Sequence, residues 1–168
     1  MVKSLHNEFI EPHLRSILEL VPDPEIPVLS VLDLGIVRSA TEKDGYVQVK
    51  ITPTYSGCPA TDVIGRDIKQ MLENAGYTVS IESVLEPAWS TDWISTEGRK
   101  KLEEYGIAAP LDESADKAVL LQNAKLVPCP LCGSKNTHMI SQFGSTACKA
   151  LFKCDNCMEP FDYFKCLR

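Results

Sequence analysis

Cys129-Pro130-Leu131-Cys132 and Cys154-Asp155-Asn156-Cys157 form two Cys-x-x-Cys pairs with 21 residues between them. Two residues between cysteines let both thiolates of a knuckle turn inward on one ion. Two such knuckles complete a tetrahedral four-sulfur shell, the preferred environment of structural zinc. The same donors suit a rubredoxin-like iron or an iron–sulfur cluster, so the site is read as zinc or iron, with the ribbon spacing favouring zinc. Gly133 follows the first pair, where a knuckle needs a backbone free to take positive φ. The stretch between the pairs is too short to bury much of a core, so the metal is expected to supply much of the folding energy. Cys148 and Cys166 are further candidates for metal or thiol chemistry; their plainer role is to pack as small apolar residues.

Cys58 stands apart, in Thr52-Pro53-Thr54-Tyr55-Ser56-Gly57-Cys58-Pro59-Ala60, where a strand is expected to give way to a helix. Backbone N–H groups and the helix dipole at that end favour a thiolate. Gly57 permits close approach of backbone or ligand, and Pro59 suits a first helical turn. Such a thiolate could bind iron transiently, hold a cluster or act as a nucleophile, and equally could be a packed cysteine at a helix start. His6, His13 and His138 are far from it in sequence, which argues against a Cys–His hydrolase. Asp23-Pro24-Glu25-Ile26-Pro27 presents two carboxylates on a stiffened turn. These are either a solvated loop or, with Cys58, a mixed carboxylate–thiolate pocket of the kind that suits iron.

Seven cysteines, six of them between Cys129 and Cys166, do not describe an exported disulfide scaffold. The first residues lack the apolar core of a signal peptide and no apolar run is long enough to cross a bilayer, so a cytoplasmic location is expected. A net charge of −6 gives no reason to expect nucleic-acid binding, and the few basic residues among the C-terminal aromatics do not change that.

The elements that must position these groups alternate through residues 1–106. Phe9, His13, Leu14, Ile17, Leu18 and Val21 recur at helical spacing, with Pro12 in the first turn. Val31 to Arg38 reads as a buried strand. Asp44-Gly45 is a turn, followed by the alternating strand Val47, Val49, Ile51. A helix from about Pro59 to Ala75 buries Val63, Ile64, Ile68, Met71 and Leu72 and stops at Gly76. Tyr77, Val79 and Ile81 form a third strand, and a short helix near 95–105 ends at Gly106. Trp89, Asp92 and Trp93 lie between them as a docking patch or a core lid. Residues 107–126 read as a linker with a brief apolar stretch, Ala118 to Leu121. Residues 127–168 read as a ribbon with strands near Thr137–Phe143, Ala150–Lys153 and Phe161–Phe164. The fold class expected is α+β: a small mixed sheet with helices on one face, plus a C-terminal antiparallel β zinc-ribbon module.

Residues 5–85 resemble the SufT-like metal–sulfur cluster biosynthesis family, which also includes eukaryotic cytosolic iron–sulfur targeting proteins. The matching segments are Asp23-Pro24-Glu25-Ile26-Pro27, Asp33-Leu34-Gly35-Ile36-Val37 and Gly57-Cys58-Pro59. The full length is similar to a ribbon-bearing group of the phenylacetyl-CoA oxygenase (ring-epoxidase) system. That likeness rests on Pro87-Ala88-Trp89-Ser90-Thr91-Asp92-Trp93-Ile94, Phe143-Gly144-Ser145-Thr146-Ala147-Cys148-Lys149-Ala150-Leu151 and Glu159-Pro160-Phe161-Asp162-Tyr163-Phe164-Lys165-Cys166.

The resemblance implies an accessory protein that helps mature the oxygenase by iron or iron–sulfur cluster insertion, without catalytic turnover of its own. It makes Cys58 the transfer thiolate for a transient iron or cluster, with Glu25 as its partner. The implied partners are oxygenase or reductase subunits and iron–sulfur assembly proteins, with no nucleic acid and no membrane. Two other readings remain open: a structural component of the oxygenase complex, and a rubredoxin-like electron carrier with iron at the four cysteines.

Overall fold

The structure, a computed structural model, describes residues 9–111 and 127–165. Cys166 and the apolar stretch Ala118 to Leu121 lie outside the described residues. The chain divides into two compact units. One runs through Trp89 and includes Trp93–Gly98; the other combines Ser90–Asp92 with the chain from Arg99 onward.

In the first unit, α1 (Pro12–Leu18) has Pro12 in its first turn and buries Leu14 and Leu18. Phe9, grouped with that helix by its spacing, precedes it and is exposed. Its backbone carbonyl is taken by the N–H of Ala40, while the N–H of Glu11 donates to Ala40 O, both at 3.1 Å. The segment before α1 is therefore held extended along a strand.

That strand is β1 (Val37–Lys43), which pairs antiparallel with β2 (Tyr46–Ile51) through a tight turn. Asp44 and Gly45 both take positive φ there, the geometry that matches the twist of a two-residue hairpin. Helix α2 (Ala60–Asn74) follows, and β3 (Thr78–Ser83) returns parallel to β2, so the sheet is mixed, in the order β1-β2-β3. Ile64, Ile68 and Leu72 are the buried stripe of α2, with Val63 and Met71 outside it. Val47, Val49 and Ile51 are the buried side of β2. A Cβ on Gly65 would meet Ile81 and Ile51 at 3.6 and 3.9 Å, which shows how closely α2 lies on the sheet.

Residues 31–36, expected to open a strand, are buried but turn instead. The Asp33 carboxylate accepts hydrogen bonds from the backbone N–H and hydroxyl of Ser30, both at 2.9 Å, and from the Ser95 hydroxyl at 3.2 Å. Gly35 then reverses the chain at φ +67. An apolar run reports burial, and a buried carboxylate that captures local donors can bend it. Trp89 and Trp93 are both buried, as core rather than docking surface. The Trp89 indole donates to Leu34 O at 2.9 Å, and the Arg38 guanidinium lies 4.2 Å from the Trp93 ring centroid.

The chain passes from the first unit to the second within α3 (Thr96–Glu104), after which Gly106 takes φ +87 and leads into β4 (Ile107–Ala108) of the second unit. Strand β4 pairs parallel with β7 (Pro160–Phe164); β6 (Lys149–Cys154) pairs antiparallel with β7 and with β5 (Thr137–Ser141). The described ribbon does bury a core: Phe152 stacks on Phe161 at 5.8 Å and meets Tyr163 edge-on at 5.5 Å, with Val127 and Ala150 alongside. The expectation of almost no core overlooks β7, which lies beyond the second knuckle and supplies two of the three rings.

Gly35→Ala tests the turn. Its Cβ would collide with Trp93 O at a φ that L residues avoid, so a loss of at least ~2 kcal/mol of unfolding free energy is expected in denaturant titration. A change within experimental error would disprove the constraint.

Candidate metal centre and candidate transfer thiolate

The first knuckle closes through Gly133 N–H to Cys129 O at 2.8 Å and Cys129 N–H to Ser134 O at 2.9 Å, with Gly133 at φ +72. The second closes through Cys154 N–H to Glu159 O at 3.0 Å, and there Met158 takes the left-handed turn at φ +66. Thr137 at the start of β5 is paired with Cys154 at the end of β6, which brings the knuckles together.

The Sγ atoms of Cys129, Cys132, Cys154 and Cys157 all lie within 4.8 Å of one another. Cys129 and Cys157 are 3.8 Å apart, and Cys132 and Cys154 are 3.6 Å apart. Sulfurs bonded tetrahedrally to one ion at ~2.3 Å are separated by ~3.8 Å, whereas a disulfide needs ~2.05 Å. The donor set and spacing fit a single four-coordinate ion.

The electrostatics prepare the first step of binding. The N–H of Cys157, together with those of Asn156 at 3.4 Å and the neighbouring thiols, lowers Cys154 from the ordinary thiol value of 9.0 to about 6, against the effect of burial. Cys157 receives a hydrogen bond from Glu159 N–H that favours its thiolate. Burial and the adjacent sulfurs outweigh it and push Cys157 up to about 12. One thiolate is therefore ready near neutrality, and a cation is needed before all four ionise.

Cys148 is buried, its Sγ 3.0 Å from the Thr146 hydroxyl, and is not one of the four converging sulfurs. His138, on β5, is also outside that set; its Nδ1 lies 3.1 Å from the Asp155 carboxylate.

Cys58 lies between the end of β2 and the start of α2, half-buried, with Ser56, Gly57 and Pro59 exposed around it. Its N–H donates to Tyr55 O at 3.1 Å and its carbonyl accepts from Thr61 N–H at 3.2 Å, a tight entry to the helix. Glu25 is half-buried. Asp23 is buried, and its Oδ1 accepts the N–H groups of Glu25 and Ile26 at 2.9 and 2.7 Å, so it holds the turn in shape. Among the described residues, groups of three or more Cys, His, Asp or Glu ligand atoms within 4.8 Å occur at the four cysteines and at Glu11, His13 and Glu42. Neither group contains Cys58 or Glu25. The second group escapes sequence reasoning because it joins residues some thirty positions apart with no motif between them.

The class is given by the families that the chain's two stretches match, an iron–sulfur cluster assembly domain followed by a zinc beta ribbon domain. Residues 12–83 match the family described as iron–sulfur cluster assembly protein, and residues 113–165 match the PaaD zinc beta ribbon domain. The chain is 48% identical over 157 residues to a protein of Escherichia coli (strain K12) named as one of the subunits of 1,2-phenylacetyl-CoA epoxidase, covering 90% of each. It is 37% identical over 103 residues to an Fe-S protein maturation auxiliary factor of Porphyromonas gingivalis, covering 58% of this chain and 97% of that one. A crystal structure of a DUF59 domain of unknown function from Bacillus anthracis superposes with a TM-score of 0.51 at 28% identity, over 55% of this chain and 90% of that one. The chain belongs to the PaaD family. No helix among the described residues is long and apolar enough to cross a membrane.

Two measurements probe these sites. Because Cys154 is lowered to about 6, its thiolate contributes stability to the metal-free ribbon at high pH and loses it as pH falls through about 6. Metal binding should accordingly release about one more proton per ion at pH 5 than at pH 7.5, read by calorimetry in buffers of different ionisation heat. Equal release at both would refute the assignment. The Thr52 hydroxyl, buried at the end of β2, has no hydrogen-bond partner among the described residues. Thr52→Val is expected to raise unfolding free energy by ~1 kcal/mol, and a loss would mean the hydroxyl is satisfied in solution.

Proposed function

We propose that this chain is a maturation factor that hands iron or an iron–sulfur cluster to the phenylacetyl-CoA ring-epoxidising oxygenase, working in the cytoplasm and without turnover of its own. The observation that carries this reading is Cys58, half-exposed at a strand-to-helix junction within the segment that matches iron–sulfur cluster assembly proteins. The likeness to the Escherichia coli epoxidase component, which extends over nearly the full length, supports the choice of client, either an oxygenase or a reductase subunit.

Cargo on Cys58 would take one thiolate from this chain and further donors from Glu25, from an iron–sulfur assembly protein or from the client. Few donors from the carrier suit transfer, because ligand exchange can proceed one bond at a time. The four ribbon cysteines serve the opposite purpose. Four protein donors leave no open position, which suits structural zinc in a module that docks the client. Cys148 and Cys166 are assigned no step.

The name of the Escherichia coli relative favours a second reading, a resident component of the oxygenase complex. A rubredoxin-like role would require iron at the four cysteines, a coloured protein and reversible redox cycling.

Cys58→Ser separates these readings. With the oxygenase expressed beside the full chain, the variant should leave client iron and cluster content at the level found without the chain. Its own zinc content and thermal unfolding should match the wild type. Full client metallation with Cys58→Ser would sink the transfer mechanism, and stable stoichiometric co-purification would then point to the resident component. Glu25→Gln is expected to slow metallation less severely.

A further inference from the structure

Glu11, His13 and Glu42 bring two carboxylate oxygens and one imidazole nitrogen within 4.8 Å of one another. The backbone sets up this meeting. Hydrogen bonds between Phe9–Glu11 and Ala40 lay the segment before α1 along β1, so Glu11 and His13 arrive beside Glu42, two residues further along the strand.

Each carboxylate is held by one oxygen and leaves the other pointing inward. Glu11 Oε1 accepts the N–H of Glu42 at 3.0 Å, and Glu42 Oε1 accepts the N–H of Gly45 at 2.7 Å. The Oε2 atoms face the imidazole, at 3.7 Å from Nδ1 for Glu11 and 3.9 Å from Nε2 for Glu42. These gaps are too long for good hydrogen bonds. They run to the two opposite ring nitrogens, and one ligand atom from each of the three residues lies within 4.8 Å of the others, so small side-chain rotations bring all three to ~2.1 Å from a shared ion. Carboxylates anchored through their second oxygen are a recurrent support for bound metals. The Tyr77 ring, centroid 6.2 Å from that of His13, flanks the imidazole on one side.

We propose that Glu11, His13 and Glu42 form a second metal site, taking a divalent first-row transition ion through two carboxylate oxygens and one imidazole nitrogen. Water fills the remaining positions. A small turn of the exposed His13 ring lets one nitrogen reach the ion that both carboxylates share. Two carboxylates facing one imidazole leave surplus negative charge whether or not the ring is protonated, and a divalent ion offsets it. The nitrogen and oxygen donors differ from the four thiolates of the ribbon, so the two centres select differently among metals. The site stands independently of whether Cys58 transfers cargo.

The test uses the full chain with its four-cysteine centre already filled with zinc, titrated with further Zn²⁺. The His13 imidazole resonances are followed by NMR, and the stoichiometry by calorimetry. The expected result is a saturable shift of His13 with one additional equivalent. His13→Ala and Glu42→Gln should each weaken that binding by at least about tenfold. Gln keeps the oxygen that accepts Gly45 N–H, and thermal unfolding checks that both variants remain folded. His13 resonances that do not respond to Zn²⁺ would reduce the trio to two ion pairs and overturn the proposal. Binding of the additional equivalent that is unaffected in His13→Ala would place the ion elsewhere and overturn it as well.

Discussion

Four sulfur atoms drawn within 4.8 Å of one another cannot all carry charge unless a cation sits among them. In the metal-free ribbon that conflict is visible as a split. Cys154, served by two backbone N–H groups, ionises early, and Cys157, crowded by the other sulfurs, is held back. A bound ion removes the conflict by letting every thiolate form at once. The knuckles, the φ +72 of Gly133 and the φ +66 of Met158 all serve that convergence. Two of the sulfurs, on Cys129 and Cys154, belong to the same buried cluster as Phe152, Phe161 and Tyr163, so ligation and core packing stabilise one another.

Cys58 stands in a different setting. Its chain neighbours are exposed, it belongs to no three-donor group among the described residues, and the helix it precedes offers backbone N–H groups. A single half-buried donor makes weak, exchangeable bonds, whereas a closed four-donor shell makes durable ones. The difference between one cysteine donor and four follows from donor number and enclosure, with no difference in the chemistry of the sulfur itself.

Local sequence carried the helices and turns with their own signals. Pro12 at the start of α1, Asp44-Gly45 in the hairpin and Gly76 after α2 are each required by backbone geometry, and each appears where expected. The segment 31–36 departs from the expected strand for a physical reason. Its residues are buried, which a continuous apolar run does indicate, but the run does not reveal that Asp33 gathers the Ser30 and Ser95 donors and bends the chain. Likewise Trp89 and Trp93 could have been surface or core until their indole and ring partners, Leu34 O and Arg38, were in place.

The sequence by itself determined the four-cysteine set, because two residues between cysteines is a local requirement for two sulfurs to share an ion. It also placed Cys58 between a strand and a helix, since both elements announce themselves through periodicity over a few turns. Only the tertiary structure decided which other groups approach each other. The aromatic core of the ribbon depends on β7 pairing with β6, and the trio Glu11, His13 and Glu42 depends on Phe9–Glu11 lying along β1. Such contacts join distant stretches of chain through backbone pairing, and no spacing within either stretch records the partner it will meet.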